Sequence, residues 1–231
     1  MCGRYVAPGE EDVADCFDVK HVTWHEAGSM DVRPTDLVGI VIEDTRGDPW
    51  DGRQLRPARW GLVPSWTKAL SSRPLINARA ETLFEKPSFR VAASRRRAIV
   101  PALGYYEWTT SPSGKKTPLF LHPPKGGVIG FAGVYEWRRV PEGVEMRGID
   151  EDRRLYSMAI VTRPAMDGIG QLHDRMPVVV TPELVADWLD PTGTRPDVVT
   201  ELLAAMPDPV LVVGRDRREL VGLDNGSGNR I

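Results

Sequence analysis

Met1-Cys2-Gly3-Arg4 opens the chain, and the rest of the sequence is organised around this stretch. Cys2 has a small side chain, so we expect a methionine aminopeptidase to accept the Met1–Cys2 bond. Loss of Met1 would leave a free α-amine and a thiol on one residue, which is a 1,2-aminothiol. An aldehyde forms an imine with such an amine, and the thiol then closes a five-membered thiazolidine in an intramolecular step. The alternative is that Cys2 is an ordinary residue at a frayed terminus.

The composition is that of a soluble globular protein. The 231 residues are 41% hydrophobic and 27% charged, which is typical of a chain with a buried core. No apolar run is long enough to span a bilayer, and no basic segment followed by an apolar one marks a signal peptide. We therefore predict a cytoplasmic protein without a membrane partner.

The cysteines and the charge argue against several classes of protein. With only Cys2 and Cys16, neither a disulfide framework nor a cysteine metal site is supported, and we expect Cys16 to be a small core residue. No histidine spacing suits zinc, so neither a metal nor another cofactor is predicted. The net charge of −2 gives no global argument for nucleic acid. Most basic residues are arginine, which suits bidentate phosphate binding, although a GC-rich genome would produce the same bias.

Hydrophobic patterns predict mainly strands, with a few short helices between them. The clearest strand is Leu155 to Thr162. Thr181-Pro182-Glu183 indicates a helix start, because Thr caps helices and Pro fits the first turn. The triplet Arg95-Arg96-Arg97 is predicted to be a solvated face, and the tail from Asn225 to Arg230 is predicted to be frayed. The other predicted strands cover residues 37–43, 55–63, 98–101, 105–108, 119–122, 128–135, 178–180 and 210–213, and the helices cover 10–17, 89–94, 181–189 and 196–205.

Three further segments carry side chains that suit catalysis or ligand binding. If Tyr106 and Trp108 face one side of their strand, Glu107 faces the other, where a carboxylate would titrate high and suit a general acid or base; the alternative is a charge on a solvent face. Trp66 follows a Pro-Ser turn, where an exposed ring can stack on a nucleobase; the alternative is a core anchor. Ile76-Asn77-Ala78-Arg79-Ala80-Glu81-Thr82 crowds polar groups after an apolar entry, and such groups need partners or a ligand.

Taken together, the sequence resembles the SRAP family, the SOS response-associated peptidase-like proteins. The resemblance rests on five segments that occur in the family's order, between residue 1 and about residue 190. Each segment is weak alone, but five in this order and at this spacing are specific. The segments are Met1-Cys2-Gly3-Arg4, Trp60-Gly61-Leu62-Val63-Pro64-Ser65-Trp66, Ile76-Asn77-Ala78-Arg79-Ala80-Glu81-Thr82, Gly104-Tyr105-Tyr106-Glu107-Trp108 and His173-Asp174-Arg175-Met176-Pro177.

The resemblance implies an α+β fold, a single β-rich domain of mostly antiparallel, curved, barrel-like sheets with short flanking helices. This domain would cover residues 1–231 and act as a monomer. From about residue 214 the sequence departs from the family, whose last strand normally runs through an Asn-rich segment. A second departure is Asp31, where the family usually has Asn. A carboxylate there would repel phosphates, so Asp31 is given no DNA role, and Asp31-Val32-Arg33-Pro34-Thr35 is predicted as a turn before a strand.

The function that the resemblance implies is recognition of abasic sites in single-stranded DNA. Cys2, exposed by loss of Met1, would bond covalently to the ring-opened sugar aldehyde. The product would be a reversible thiazolidine DNA–protein cross-link that shields the lesion during the DNA damage response. Lyase-type strand cleavage through the imine and autoproteolytic loss of Met1 would accompany this reaction.

The same resemblance implies roles for individual residues. Cys2 would be the nucleophile, Asn77 would position it, Glu107 would shuttle protons, and His173 would act as acid or base at the sugar hydroxyl. An abasic sugar has no base to recognise, so affinity must come from phosphates and from stacking on neighbouring bases. The implied DNA-binding residues are Arg4, Arg79 and Arg175 on phosphates, Trp66 and Thr162 along the DNA path, and Arg90 as a further phosphate contact.

Two other functions stay open at this point. A thiol peptidase of the N-terminal-nucleophile type would use Cys2, His173 and either Asn77 or Glu107, and it predicts turnover of peptides. A non-covalent single-strand binding module would leave Cys2 incidental, and it predicts equal affinity for intact and abasic strands with a steep salt dependence. Capture of abasic DNA instead predicts a denaturant-stable adduct that Cys2→Ala abolishes.

Overall fold

The computed structural model describes residues 2–43, 52–67, 73–145, 147–165 and 173–214. The tail from Asn225 to Arg230 lies outside the described residues. The α-helices are α1 (Glu10–Phe17), α2 (Pro87–Arg95), α3 (Val185–Leu189) and α4 (Pro196–Ala205), with 3-10 turns at Ala80–Thr82 and Pro182–Leu184. The strands are β1 (Tyr5–Ala7), β2 (His21–Val22), β3 (Ser29–Val32), β4 (Leu37–Glu43), β5 (Arg53–Trp60), β6 (Asn77–Arg79), β7 (Arg97–Ala102), β8 (Gly104–Thr110), β9 (Lys116–His122), β10 (Ile129–Arg139), β11 (Arg154–Pro164), β12 (Arg175–Pro177), β13 (Val179–Val180) and β14 (Val212–Gly214).

Five strands close into a barrel. β5, β4, β7, β10 and β11 are antiparallel neighbours in that order, and β11 returns to β5 through a short parallel pairing of Ser157 with Arg59 and Met158 with Trp60. β2, β6, β12 and β13 pair with the margins of this sheet, and a second sheet has the order β14-β9-β8-β1-β3. The predicted fold of curved, barrel-like, mostly antiparallel sheets with short helices is confirmed.

Alternate side chains along the barrel strands face two apolar cores, as the period of two along a strand requires. On β7, for example, Val100 joins one core and its neighbour Ile99 joins the other. The core that contains Val100 also contains Cys2, Tyr5 and Tyr105, so the start of the chain packs where the second sheet meets the barrel. We call this the Cys2 core.

The helices cover the opposite core and are short. α1 buries Val13 and Phe17, which lie four residues apart on one helix face. Cys16 lies beside that face and is exposed, so the prediction of a core position for Cys16 is wrong. Within the described ranges, none of the helices is long and apolar enough to cross a membrane.

The predicted solvated face of the arginine triplet holds for Arg95, which is exposed, but is wrong for Arg96 and Arg97. Arg97 is only 3% exposed, and Arg96 forms an ion pair at 2.9 Å with the buried Glu136. A buried cation is stable only when acceptors surround it, and backbone carbonyls at the ends of α2 and α3 supply them here. The guanidinium of Arg97 donates to the carbonyl oxygens of Ala93, Ser94, Trp188, Asp190 and Gly193.

Three short strands differ from the sequence prediction. β1, β3 and β6 span three or four residues each and lack the long apolar runs that mark a strand. Asp31 and Val32 belong to β3 rather than to a turn, because Val32 pairs with Tyr5 of β1. That pairing joins distant parts of the chain, so a local pattern does not reveal it.

The tight connection between β7 and β8 depends on Gly104. Its φ is +156°, and a Cβ at this position would lie 2.4 Å from the carbonyl oxygen of Leu121 on β9. Only glycine therefore lets β8 approach β9 this closely. The close approach fixes the start of β8, which carries Tyr105 and Glu107 into the Cys2 core.

Candidate active site around Cys2

Cys2 is fully buried, and its backbone is held from two sides. The side-chain amide of Asn77 donates from Nδ2 to the carbonyl oxygen of Cys2 at 2.9 Å. Two residues further on, the carbonyl oxygen of Arg4 accepts a hydrogen bond from the backbone N–H of Tyr106 at 2.8 Å. The start of the chain is therefore fixed between β6 and β8.

Asn77 is positioned by the barrel itself. It opens β6 and pairs in parallel with Ile160 of β11. The preceding carbonyl, that of Ile76, accepts from the backbone of Ile160 at 3.0 Å and from the indole N–H of the core residue Trp60 at 2.9 Å. The polar segment predicted from the sequence thus lies on a rigid support, and the amide of Asn77 points at Cys2.

Glu107 lies on the buried face of β8. Tyr105 and Glu107 face inward, with Glu107 3% exposed, whereas Tyr106 and Trp108 are partly exposed on the other face. The predicted alternation is confirmed, and the alternative of a solvent-facing charge is wrong. Burial raises the pKa of Glu107 above its usual value. Burial, followed by the nearby charge of Glu107, raises the pKa of the Cys2 thiol to about 12, so the thiol stays protonated at neutral pH.

Two tyrosine hydroxyls share the Cys2 core. Tyr5 on β1 pairs directly with Tyr105 on β8, and edge-on contacts with Trp60 and Phe131 hold the two rings. Within the described part of the chain, both hydroxyls and Oδ1 of Asn77 are buried without a hydrogen-bond partner. Burial, and then the charge of Cys2, raise the pKa of both tyrosines. Because buried polar atoms normally have partners, this region suits a polar ligand.

His173 meets a donor and an acceptor at the same ring nitrogen. Its Nδ1 lies 3.0 Å from the backbone N–H of Arg175, which can only donate, and 2.7 Å from Oδ1 of Asp174. The first contact suits an Nδ1 without a proton, and the second suits an Nδ1 that carries one. The charge of His173 also opposes the burial effect on the pKa of Glu107, which places the two residues in one electrostatic site.

Arg175 is held rigidly by two partners. Its guanidinium forms a bidentate pair with Glu81, at 2.7 and 3.0 Å. It also donates to the carbonyl and the hydroxyl oxygen of Thr162, at 2.6 and 3.2 Å. Thr162 is fully buried, so any effect of its side chain on DNA would act through Arg175. Sequence reasoning did not assign a role to Glu81, although it lies in the polar segment that contains Asn77 and Arg79.

The remaining predicted DNA contacts lie on exposed positions. Trp66 is 66% exposed, so the core-anchor alternative is wrong, whereas Trp60 is fully buried. Arg79 is exposed on β6 and pairs with Thr162 of β11, which places it beside Arg175. Arg90 is exposed on α2. Trp66 and Arg90 thus lie on elements other than the β6–β11–β12 margin.

Arg4 takes part in a pairing that the sequence did not predict. Its guanidinium lies 5.9 Å from the ring of Tyr106 and 6.0 Å from that of Trp108, and it forms a bidentate ion pair with Asp31. Asp31 was predicted to have no role in DNA binding, yet it contacts Arg4, which was predicted to bind a phosphate.

The site combines a thiol, an ionisable carboxyl, an imidazole and arginines. Such a set can move protons around a carbonyl group and bind anions. In the described ranges, no group of three His, Cys, Asp or Glu side chains is arranged to hold a metal ion.

Comparison with known proteins places the chain in a family. The model of the SOS response associated peptidase (SRAP) family matches residues 1–215. The chain is 34% identical over 209 residues to the abasic site processing protein YoqW of Bacillus subtilis strain 168, covering 88% of this chain and 86% of that protein. It is 32% identical over 169 residues to the abasic site processing protein HMCES of Pongo abelii, covering 60% of this chain and 46% of that protein.

Solved structures share the fold. A phage-related protein of Bordetella bronchiseptica matches with a TM-score of 0.70 and 27% identity, covering 94% of each chain. A second protein of Bordetella bronchiseptica matches with a TM-score of 0.74 and 23% identity, covering 94% of this chain and all of that one. The chain therefore belongs to the SOS response associated peptidase family.

Proposed function

We propose that this chain processes abasic sites in single-stranded DNA by trapping the sugar aldehyde on Cys2. The observation that carries the proposal is the burial of Cys2 beside Glu107, with Asn77 2.9 Å from its carbonyl oxygen and unpartnered hydroxyls in the same core. Relatives named abasic site processing proteins support the same class of activity.

The reaction begins with two preparatory steps. Hydrolysis of the Met1–Cys2 bond consumes one water and frees the α-amine of Cys2. The closed sugar then opens when a base removes the proton of its C1′ hydroxyl and the ring oxygen gains a proton. His173 serves this step, because its Nδ1 lies between the N–H of Arg175, which suits a bare nitrogen, and the carboxylate of Asp174, which suits a protonated one.

Covalent capture follows in two steps that balance to the loss of one water. The neutral amine of Cys2 adds to the aldehyde carbon, and one of its protons passes to the aldehyde oxygen. Protonated Glu107 then donates a proton to the departing hydroxyl group, which leaves as water, and a protonated imine remains. The Glu107 carboxylate accepts the thiol proton while sulfur bonds to the imine carbon, and the nitrogen keeps its proton as the C=N electron pair returns to it. The raised pKa of Glu107 suits this exchange, because a group that titrates closer to neutral pH both donates and accepts.

Binding of the strand is assigned to the exposed and fixed cations around this core. Arg79 and Arg175 would contact phosphates beside the sugar, and the exposed Trp66 would stack on a neighbouring base. Glu81 and Thr162 hold Arg175 in place, so they act by positioning. Arg90 would add a more distant phosphate contact.

A denaturing gel tests the proposal. Wild-type protein mixed with an abasic single strand should give a band that survives denaturant, and an intact strand of the same sequence should not. Cys2→Ala should lose the band, while Cys16→Ala is the matched control because Cys16 is the other, exposed cysteine. Cys2→Ser keeps the amine but cannot close a thiazolidine, so its adduct should require reduction to survive. A denaturant-stable band with Cys2→Ala would refute the proposal.

Two accompanying activities belong to the same proposal. β-Elimination from the imine would cleave the strand, and Met1 would be released by the chain's own chemistry or by a methionine aminopeptidase. A general thiol peptidase is less favoured by the site, because a thiol with a pKa of about 12 offers little of the thiolate that such an enzyme needs. Turnover of a peptide library at rates that exceed abasic capture would favour the thiol peptidase over the capture of abasic DNA.

A further inference from the structure

Asp31 on β3 accepts hydrogen bonds from two arginines at once. Arg4 donates through Nε and Nη2, with Nη2 2.7 Å from Oδ2. Arg33 donates through Nε at 3.1 Å and through Nη2 at 2.6 Å to the same Oδ2. Each guanidinium therefore offers Asp31 the two-donor edge with which arginine binds phosphate.

The Arg4–Asp31–Arg33 triad is close to Cys2 along the chain, and the Arg4 guanidinium packs on Tyr106 and Trp108, on the face of β8 opposite Glu107. Arg4 follows Cys2 by two residues, and its carbonyl accepts from the N–H of Tyr106, the neighbour of Glu107. The triad is partly open to solvent, and the Arg33 side chain is 62% exposed. A strand that is bound at Cys2 and continues across the edge strand β3 would bring its flanking phosphates to these side chains.

We propose that Asp31 takes the place of a DNA phosphate between Arg4 and Arg33 and so lowers the affinity of the chain for undamaged single strands. This inference rests on the proposed function. With Asp31 ionised the triad carries a charge of +1, and without that carboxylate it would carry +2. A phosphate must compete with Asp31 for the donor edges of both arginines, and it also meets the repulsion of the carboxylate.

The consequence is selectivity for the lesion. An undamaged strand is held only by non-covalent contacts, so the loss of phosphate contacts lowers its affinity by the full amount. An abasic strand is retained by its bond to Cys2 once capture has occurred. Hydrogen bonds from Arg4 and then from Arg33 hold the pKa of Asp31 far below its usual range, so the carboxylate stays charged in mild acid and the competition persists.

The substitution Asp31→Asn tests the inference in the full chain. Fluorescence anisotropy would measure binding of an intact, labelled single strand over a series of salt concentrations. We expect about fivefold tighter binding at low salt, the worth of one unlike charge pair near 4 Å in water. The plot of log affinity against log salt should steepen by about 0.7 for each additional phosphate that the variant binds. Asp31→Ser, which also removes the charge, should give the same result if the asparagine variant folds poorly.

Asp152→Asn is the matched control, because Asp152 pairs with a single arginine, Arg154, at 3.2 Å on the β10–β11 connection. Asp152→Asn removes the same charge, and it should change neither the affinity for the intact strand nor the slope of log affinity against log salt. Unchanged or weaker binding by both Asp31 variants, with an unchanged slope, would overturn the inference and assign Asp31 the role of organising Arg4.

A competition assay separates this inference from the proposed function. Undamaged strands should suppress adduct formation by Asp31→Asn at about fivefold lower concentration than for the wild type, matching the expected increase in affinity. If the wild type forms the adduct and both proteins respond equally to competitor, only the inference fails. If the wild type forms no adduct on Cys2, the proposed function itself fails.

Discussion

Replacing Glu107 with Gln should make the protein more stable and less active at the same time. The substitution keeps the size of a side chain that is almost completely buried, but it removes the ionisable proton. Burial raises the pKa of Glu107, so the folded state binds this proton more tightly than the unfolded state does. The stabilising effect of that proton is complete below the ordinary pKa of Glu and is lost as pH rises through the raised folded value.

The magnitudes follow from this shift. Each unit by which the pKa is raised costs about 1.4 kcal/mol at a pH above both values, and Gln does not carry that cost. For a chain of this size, 1 kcal/mol corresponds to roughly 2–4 °C in Tm, so Glu107→Gln should melt above the wild type at neutral pH by that amount for each kcal/mol that ionisation of Glu107 costs. The capture rate should fall by about 100-fold or more, since a positioned acid–base group contributes roughly that much.

Two assays on one pair of variants check this prediction. Thermal melting between pH 4 and pH 8 should show the gap between Glu107→Gln and the wild type widening as pH rises. A quenched time course of adduct formation gives the capture rate. Glu136→Gln is the matched control, because Glu136 is also buried with a pKa raised by burial. Glu136 lies on β10 and pairs with Arg96 at the end of α2 rather than with the Cys2 site. The capture rate of Glu136→Gln should stay at the wild-type value.

Adduct formation by Glu107→Gln at the wild-type rate would refute the proton-transfer role of Glu107. If the difference in Tm between Glu107→Gln and the wild type narrows as pH rises, the pKa of Glu107 is not raised on folding. The two results are independent, so each part of the reasoning can fail separately.

Three further substitutions extend the test. Asn77→Ala removes the donor 2.9 Å from the carbonyl of Cys2, so capture should slow and stability should fall by about 1 kcal/mol; an unchanged time course would contradict the positioning role. Trp66→Ala alters an exposed ring, so Tm should stay near the wild-type value while anisotropy shows a loss of about 1–3 kcal/mol in single-strand affinity; equal affinity would remove Trp66 from the DNA path. Arg97→Met leaves several buried or partly buried carbonyls without this donor, so urea denaturation should show a loss of about 3 kcal/mol or more. Capture per folded Arg97→Met molecule should not change, and a fall would implicate Arg97 in the site.

The parts of the fold that follow a local pattern were predictable from the sequence. β4 and α4 have the predicted bounds, because an apolar run or a helical repeat is visible within a few residues. The inward position of Glu107 was also predictable, since alternation along β8 requires only its immediate neighbours. Curved, barrel-like sheets were expected from the family resemblance rather than from any single pattern, and the number of strands in the barrel was not predicted.

Contacts between distant residues were not predictable in this way. Arg175 and Glu81 form their bidentate pair across 94 positions, and Arg4 meets Asp31 across 27. The burial of Arg97 depends on carbonyls at the end of α3, more than 90 positions away. In each case the charge was visible in the sequence, but its partner was set by strand pairing and helix docking.

Capture of the sugar on Cys2 can be measured by the intact mass of the protein after reaction with an abasic single strand, followed by peptide mapping. We expect a product with the mass of the chain without Met1, plus the strand, minus one water, with the modification on residue 2. Attachment at a lysine, or an adduct on a chain that still carries Met1, would contradict this proposal.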